Sequence, residues 1–243
     1  MTEPAGRAQV GFLARFRRVR CREAGRPMTK LHIFDMDGTL LAGSACLEVS
    51  RHLGVLDAIN VIEEAWGRGE VGHVEFYELC LPLWEGLTEH DVDQSFAATA
   101  WLDGIPWVWA DIARRGEHSA VISLSPQFFV DKLLEWGVET VHGAVVHPST
   151  PLDRARVLTP HGKLQVADEL MQAYGVTAQD CVAYGDSSSD IPLFQRLRHT
   201  VAVNGSESIR AVAAAHYQGR DLREAYAAGR RLLSRSQAAE GAA

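Results

Sequence analysis

The sequence lacks most of the features that mark membrane, secreted or disordered proteins. No apolar run approaches the roughly 18 residues that a membrane-spanning helix needs, although 47% of the 243 residues are hydrophobic. The four cysteines, Cys21, Cys46, Cys80 and Cys181, are scattered and form no CxxC pair. These absences argue against a membrane protein, a disulfide framework and a zinc knuckle. They predict a globular protein of the reducing cytoplasm, with enough apolar side chains for a substantial core.

Basic residues are scarce outside the first 28 positions. Residues 1–28 carry seven arginines and two acidic side chains, whereas residues 29–243 carry 17 basic and 29 acidic side chains. An acidic body repels nucleic acid, so we expect neither nucleic acid nor a membrane as a partner. The basic leader is expected to be a disordered extension or to precede the true start at Met28. A short amphipathic helix over Val10 to Val19 is the alternative.

Strand-like and helix-like segments alternate along most of the chain. This pattern predicts an α/β fold built on a doubly wound parallel sheet, because parallel strands need helical crossovers. The predicted strands are Leu31–Asp35, Ala120–Leu124, Gly143–Val146, Cys181–Tyr184 and Thr200–Val203. The predicted helices between the later strands are Phe128–Trp136, Lys163–Tyr174 and Ile191–Leu197. Residues 29–43 and 106–230 are therefore predicted to form the core.

One long stretch interrupts this alternation. Between Leu41 and Pro106 no strand pattern occurs, and glycines separate four helix-like segments, Ala45–Leu53, Leu56–Trp66, Val74–Trp84 and Glu89–Ala100. We therefore predict that residues 44–105 form a small α-helical cap inserted into the core. Residues 231–243 are small and polar in composition, and we expect them to be a disordered tail.

Acidic residues follow two of the predicted strands. Asp35-Met36-Asp37-Gly38-Thr39 ends the first strand, and Gly185-Asp186-Ser187-Ser188-Ser189-Asp190 follows the fourth. Ligands of open α/β sheets bind beyond the carboxyl ends of strands, so these distant segments are expected to converge. Four converging carboxylates repel one another unless a divalent cation neutralises them. Oxygen ligands without adjacent His or Cys favour Mg²⁺, which the sequence therefore predicts as a cofactor.

Four segments together resemble a known family. DMDGT at 35–39, Ser125, Lys163 and GDSSSD at 185–190 match in order and spacing the motifs of the haloacid dehalogenase superfamily. Within it, the chain is most similar to phosphoserine-phosphatase-like members, from Thr29 to Tyr226. A turn or a helix cap would explain either acidic segment alone, but not four segments in register. The resemblance implies a Rossmann-like core, Mg²⁺ dependence and a small phosphorylated metabolite as substrate.

The resemblance also implies roles for the acidic residues. Asp35 is expected to attack phosphorus and form an aspartyl-phosphate that water then hydrolyses. Asp37 is expected to act as general acid and then general base, with a pKa above that of Asp35. The carboxylates of Asp35 and Asp186 and the backbone carbonyl of Asp37 are expected to ligate Mg²⁺. Asp190 is expected to complete or orient this set of ligands.

The remaining motif residues are expected to hold the phosphoryl group. By resemblance, Ser125 and Lys163 bind its oxygens, while Gly38 and Thr39 shape the loop. Ser123 is a rival to Ser125, but it lies within the apolar strand, where a hydroxyl bonded to backbone is expected. Where the family has glycine after the serine, this chain has Pro126, which has no N–H to donate.

The cap departs from the family where an amino-acid substrate would be recognised. The family uses a Glu shortly after the first motif and an Arg in the cap. Here a gapless count reaches Ser44, with Glu48 one helical turn further, and only Arg51 and Arg68 remain as candidate cations. Residues 69–113 contain no Lys or Arg but nine acidic residues. Without a cation for a substrate carboxylate, we expect a neutral or cationic leaving group such as a sugar, polyol or amino alcohol.

Other functions stay open on the sequence. A genuine L-phosphoserine phosphatase would share all four motifs, and so would a phosphotransferase or phosphomutase. A dehalogenase would use Asp35 but has no need of a second acid at Asp37. A non-catalytic binding module would be signalled by loss of Asp35, Asp37 or Asp186, and all three are present. The favoured function is phosphomonoester hydrolysis.

Overall fold

A computed structural model describes residues 29–240, and its side chains to residue 235. The expectations for the basic leader therefore lie outside the described residues. The strands are β1 Leu31–Phe34, β2 His118–Pro126, β3 Thr140–Ala144, β4 Cys181–Gly185, β5 His199–Val203 and β6 Ala215–Tyr217. The helices are α1 Ala45–His52, α2 Leu56–Gly67, α3 His73–Cys80, α4 Glu89–Ala98, α5 Ile105–Arg114, α6 Gln127–Val130, α7 Pro160–Tyr174, α8 Ile191–Arg196, α9 Glu207–Arg210 and α10 Leu222–Glu240.

The six strands form one parallel sheet in the order β3-β2-β1-β4-β5-β6. The chain adds β2 and β3 on one side of β1, then crosses to add β4, β5 and β6 on the other side. This reversal opens a crevice beyond the carboxyl ends of β1 and β4, where ligands bind in doubly wound folds. The predicted fold class is confirmed.

Successive side chains of the central strands face opposite sides of the sheet, and each side has its own core. Leu31 and Ile33 of β1 pack with residues of α7 and α8, whereas Phe34 packs with residues of α5 and α10. All four residues of β1 are buried. Burial on both faces explains why this strand is a continuous apolar run in the sequence.

The predicted strands are present with shifted ends, and one further strand was missed. β3 begins three residues earlier than predicted and ends at Ala144. A Cβ at Gly143 would lie 2.7 Å from the carbonyl oxygen of Ser125, so β3 approaches β2 too closely for any other residue there. The missed strand, β6, has only three residues and lies at the edge of the sheet.

The segment predicted as helical over Phe128–Trp136 consists of α6 followed by a 3-10 segment, Asp131–Trp136.

Helices connect β1 to β2, as predicted, and α5, the last of these helices, packs against the sheet. α5 was not predicted, although Pro106 lies in its first turn, where proline is favoured. Its buried residues Ile105, Val108, Trp109 and Ile112 have the spacing of one helical face.

The prediction of a disordered tail from residue 231 is wrong over residues 231–240, which continue α10. The physical reason is apolar contact, since Leu233 is buried and Leu232 packs against the same core. Residues 241–243 lie outside the described range. Among residues 29–240, no helix combines the length and the apolar composition needed to cross a lipid bilayer.

Candidate active site

The two acidic segments meet at the carboxyl ends of β1 and β4. Asp35 directly follows β1, and its backbone N–H donates to the carbonyl of Tyr184 on β4 at 2.9 Å. Asp186 directly follows β4. The register pairs Phe34 with Tyr184, so both strands end at the same level of the sheet. The convergence expected of the two segments is therefore observed.

A buried lysine links these segments to α7. The Nζ of Lys163 donates to Oδ1 of Asp35 at 2.5 Å and to Oδ1 of Asp190 at 2.8 Å. Lys163 is 1% exposed and lies in the first turn of α7, which begins after a cap by the Thr159 hydroxyl. Burial lowers the pKa of Lys163, but the charges of Asp190 and Asp35 outweigh it and raise that pKa. The lysine is thus held as a fixed positive charge between two carboxylates.

Three carboxylates lie close enough to share a cation. One oxygen from each of Asp35, Asp186 and Asp190 lies within 4.8 Å of the other two. Burial and then the charge of Asp190 raise the pKa of Asp186 to about 7, and the same two causes raise that of Asp35 well above its ordinary value. One lysine therefore does not offset the repulsion among these groups. The all-oxygen donor set and its excess negative charge fit a hard divalent cation such as Mg²⁺.

The Asp37 carboxylate is not part of this trio. Its Oδ1 accepts from the backbone N–H of Ala45 at 3.0 Å, and its Oδ2 accepts from the Ser125 hydroxyl. Any metal ligand from Asp37 would have to be its backbone carbonyl, which stays a prediction. The carboxylate instead lies between the start of α1 and the end of β2, facing Ser125.

Burial raises the pKa values of both Asp35 and Asp37. For Asp37, the hydrogen bonds from Ser125 and Ala45 oppose the effect of burial. For Asp35, the negative charge of Asp190 adds to the effect of burial. The expectation that the pKa of Asp37 lies above that of Asp35 stays a prediction. A divalent cation ligated by Asp35 would lower its pKa and favour that order.

Gly38 and Thr39 shape the loop as expected. Gly38 has a φ of +71°, and a Cβ there would lie 2.1 Å from Oδ2 of Asp186. Only glycine allows Asp186 to come this close to the loop. The Thr39 hydroxyl is buried and donates to Oδ2 of Asp35 at 3.2 Å. With Lys163 on the other oxygen, both oxygens of Asp35 are held in position.

The two serines of β2 divide as expected. Ser123 is buried, and its hydroxyl accepts from the backbone N–H of Ser125 at 3.1 Å. Ser125 instead directs its hydroxyl to Asp37. Pro126 ends β2 and precedes Gln127, whose side chain accepts from the N–H of Gly143. Ser123 thus serves the strand, and Ser125 faces the crevice.

A cavity of about 380 Å³ lies above these groups. Six of the predicted residues line it: Asp35, Asp37, Gly38, Ser125, Lys163 and Asp186. Thr39 and Asp190 lie behind this surface, where they hold Asp35, Lys163 and the backbone of Asp186. The structure therefore brings all eight predicted residues to one site, six of them on the cavity surface and two behind it.

The part of the cavity wall that comes from α2 and α3 was not predicted. It consists of residues from α2 and α3: Glu63, Trp66, His73, Phe76 and Tyr77. The Tyr77 hydroxyl donates to the carbonyl of Leu124 at 2.6 Å, which ties α3 to the end of β2. Only Trp66 stood out in the sequence, as a packing residue, because helical periodicity does not show which residues face a distant strand end.

None of the nine acidic residues of 69–113 lines this cavity. Several of them pair with cations from outside their own stretch. Lys132 lies 2.5 Å from Asp93, and Arg154 lies 2.8 Å from Glu78. Glu63 is the acidic residue of the helical region that faces the cavity, and it precedes this stretch. The nine acidic residues therefore supply no carboxylate to the cavity, and Glu63 of α2 does.

Comparisons with known proteins find several similar phosphatases. The chain is 25% identical over 189 residues to a phosphoserine phosphatase from Archaeoglobus fulgidus, covering 76% of this chain and 55% of that protein's length. It is 24% identical over 200 residues to a phosphoserine phosphatase from Methanocaldococcus jannaschii, covering 80% of this chain and 95% of that protein's length. The structure superposes on a substrate-bound phosphoserine phosphatase complex with a TM-score of 0.70 at 22% identity. The match covers 82% of this chain and 97% of the other chain. This last likeness shows a shared fold.

The family of haloacid dehalogenase-like hydrolases matches residues 33–195. This span begins in β1 and includes all four motif segments, from the loop of Asp35 to that of Asp190. It covers well over half of the chain. The protein therefore belongs to the haloacid dehalogenase-like hydrolase family, and the resemblance to its phosphoserine-phosphatase-like members is confirmed.

Proposed function

We propose that this hydrolase is a Mg²⁺-dependent phosphomonoesterase that transfers the phosphoryl group of a small metabolite to Asp35 and then to water. The observation that carries the proposal is the meeting of Asp35, Asp37, Ser125, Lys163 and Asp186 on one cavity. Each type of group needed for phosphoryl transfer is present there: a carboxylate nucleophile, a second carboxyl group, a fixed cation and a hydroxyl.

In the first half-reaction, the Asp35 carboxylate attacks phosphorus in line with the leaving oxygen. The bond from phosphorus to that oxygen breaks, and Asp37 gives its proton to the departing alkoxide. Lys163 and Ser125 hold the phosphoryl oxygens, and Thr39 keeps Asp35 in orientation. The products are an aspartyl-phosphate at Asp35 and a free alcohol.

In the second half-reaction, the Asp37 carboxylate takes a proton from water as the water oxygen attacks phosphorus. The aspartyl-phosphate then breaks to give inorganic phosphate and the Asp35 carboxylate, which restores both groups. Mg²⁺ held by Asp35, Asp186 and the backbone carbonyl of Asp37 would supply positive charge to the phosphoryl oxygens. Asp190 accepts from the backbone N–H of Asp186 at 3.1 Å, which supports a role in orienting that loop.

We also propose that residues 44–105 act as a cap over the cavity and that the protein works in the cytosol. Tyr77 and the ion pairs of Lys132 and Arg154 join this region to the core, which supports its closing over substrate. Cys46, Cys80 and Cys181 are free thiols, which suits a reducing compartment.

The experiment is phosphate release from p-nitrophenyl phosphate by the purified chain. We expect turnover that needs Mg²⁺, stops with EDTA, returns with added Mg²⁺ and is lost in Asp35→Asn. The matched control is Asp168→Asn, which should retain activity. Asp168 lies on α7 and forms an exposed ion pair with Arg196 of α8. Turnover that survives EDTA or Asp35→Asn would contradict the proposal.

A further inference from the structure

The cavity has an acidic group on the wall formed by α2 and α3. Glu63 on α2 lines the cavity and is half-buried. Its Oε1 accepts from the Ser44 hydroxyl at 2.7 Å, and Ser44 in turn caps α1. Ser44 stands where a gapless count from Asp35 expects the family's glutamate. Glu63 of α2 therefore places a carboxylate next to Ser44.

Glu63 has no cationic partner among the described side chains. Burial, and then the negative charge of Asp37, raise the pKa of Glu63 against the hydrogen bond from Ser44. Lys163 also lines the cavity, but it is committed to Asp35 and Asp190. A buried carboxylate without a counter-charge is costly, and a cationic ligand would compensate it.

No group of this wall suits a substrate carboxylate. The two arginines considered as cap cations lie outside the cavity. Arg51 pairs with Glu48, and Arg68 pairs with Glu70, with side chains 58% and 56% exposed. Among the described residues of this wall, a carboxylate on the leaving group would meet Glu63 and no positive charge. Phosphoserine therefore fits this wall poorly, whereas the same compound without its carboxylate fits it.

The remaining wall residues are aromatic or neutral. Trp66, Phe76 and Tyr77 line the cavity, and aromatic rings can stabilise an adjacent cation. The indole N–H of Trp66 donates to Nδ1 of His73 at 3.3 Å. An indole N–H can only donate, so Nδ1 of His73 must accept and the imidazole is neutral with its proton on Nε2. His73 therefore brings no positive charge to compete with a cation at Glu63.

We propose that Glu63 binds the ammonium group of an aminoalkyl phosphate, a phosphomonoester of an amino alcohol without a carboxylate. This inference rests on the proposed function for the reacting end of the substrate, and it adds the specificity of the leaving-group end. Ser44 orients the Glu63 carboxylate, and the aromatic wall excludes water from the ion pair. Glu63 is a specificity residue and takes no part in the transfer of the phosphoryl group.

The test compares two esters that differ only in charge. Aminoethyl phosphate and propyl phosphate have the same shape, with an ammonium in one where the other has a methyl group. We expect kcat/KM to favour aminoethyl phosphate by about ten- to a hundredfold, the range of a charge-assisted hydrogen bond. The advantage should appear mainly in KM. O-phosphoserine should be turned over less well than aminoethyl phosphate.

The variant is Glu63→Gln, which keeps the shape and the hydrogen bond from Ser44. Its preference for aminoethyl over propyl phosphate should fall close to one. The matched control is Glu64→Gln on the same helix, with a side chain 74% exposed, which retains the preference. Equal turnover of the two esters by wild type, better turnover of O-phosphoserine, or a preference that survives in Glu63→Gln would overturn the inference.

Binding separates this inference from the proposed function. Aminopropylphosphonate and butylphosphonate have a methylene in place of the ester oxygen of aminoethyl and propyl phosphate. They cannot be hydrolysed at their carbon-phosphorus bond, and their affinities are measured by calorimetry with Mg²⁺ present. Tighter binding of the amino compound to wild type, lost in Glu63→Gln, supports the inference even if no ester is turned over. Absence of turnover with this result would refute only the proposed function. Equal affinities would refute the role of Glu63.

Discussion

The Lys163 ammonium lies 2.5 Å from Oδ1 of Asp35, although 128 positions separate the two residues. Both side chains are buried, and the same ammonium also contacts Asp190. This contact joins the loop after β1 to the first turn of α7. Lys163 is thus the counter-charge that the protein itself supplies to the carboxylates of Asp35, Asp186 and Asp190. One ammonium group does not offset the negative charge of all three.

Replacing Lys163 should therefore affect both activity and stability. In Lys163→Met we expect kcat to fall by about 10²- to 10³-fold, as when one preorganised donor to a transition state is removed. The free energy of unfolding should fall by about 3–5 kcal/mol, because Asp35 and Asp190 are left buried without their partner. Urea unfolding measures the second effect, and Mg²⁺ should restore part of it. Unchanged stability in Lys163→Met would contradict this account of the cluster.

The close approach of Gly38 to Asp186 predicts a second effect. A Cβ in Gly38→Ala would overlap Oδ2 of Asp186 and displace that loop. We expect kcat/KM to fall about a hundredfold, as for other misplacements of about 1 Å. The control is Gly54→Ala, since Gly54 has a similar φ of +74° but open space where its Cβ would lie. Both variants should lose about 1–2 kcal/mol of stability to the left-handed conformation, but only Gly38→Ala should lose activity.

Metal binding should be measurable without turnover. A cation that binds only the folded chain raises its stability, by about 2.7 kcal/mol at a concentration a hundred times the dissociation constant. We expect Mg²⁺ to raise the unfolding midpoint of wild type and of Asp168→Asn, but not of Asp186→Asn. Differential scanning fluorimetry with and without EDTA reports this difference. An equal Mg²⁺ effect on Asp186→Asn would place the cation elsewhere.

The free energy of unfolding should decrease as the pH is lowered, because of a histidine that does not line the cavity. His32 on β1 is fully buried, and burial lowers its pKa despite a contact with Glu117. The unfolded chain takes up a proton as pH falls below about 6.5, while folded His32 stays neutral. The free energy of unfolding therefore decreases as the pH falls from about 6.5 to the lowered pKa of His32 in the folded chain. The decrease is at most about 1.4 kcal/mol per pH unit. His32→Gln should reduce this slope in urea unfolding; an unchanged slope would assign it to other groups.

The core of the site could be predicted because its residues lie at strand ends. Apolar runs locate β1 and β4, and parallel strands that end together bring Asp35 and Asp186 to one edge. Supporting roles for Thr39 and Asp190 follow from the family resemblance, but the atoms that they contact are visible only in the structure. α5 has a signal in the sequence, namely Pro106 in its first turn and the helical spacing of its apolar residues.

Glu63 shows what sequence patterns cannot supply. It lies in α2 among charged and apolar residues with ordinary helical spacing, and nothing local distinguishes it from Glu64 next to it. The role proposed for Glu63 depends on the rotation of α2 against α1, which points Glu63 to Ser44 and Glu64 to solvent. Such a difference arises only from tertiary packing.

Chemical trapping of the phosphorylated enzyme tests the central claim most directly. Wild-type protein is mixed with Mg²⁺ and an ester carrying a radiolabelled phosphoryl group, then quenched in acid and digested. The account predicts that the label is found as an acyl phosphate on the peptide containing Asp35, and that Asp35→Asn carries none. Label on another residue, or turnover of the ester with no labelled peptide during the reaction, would contradict it.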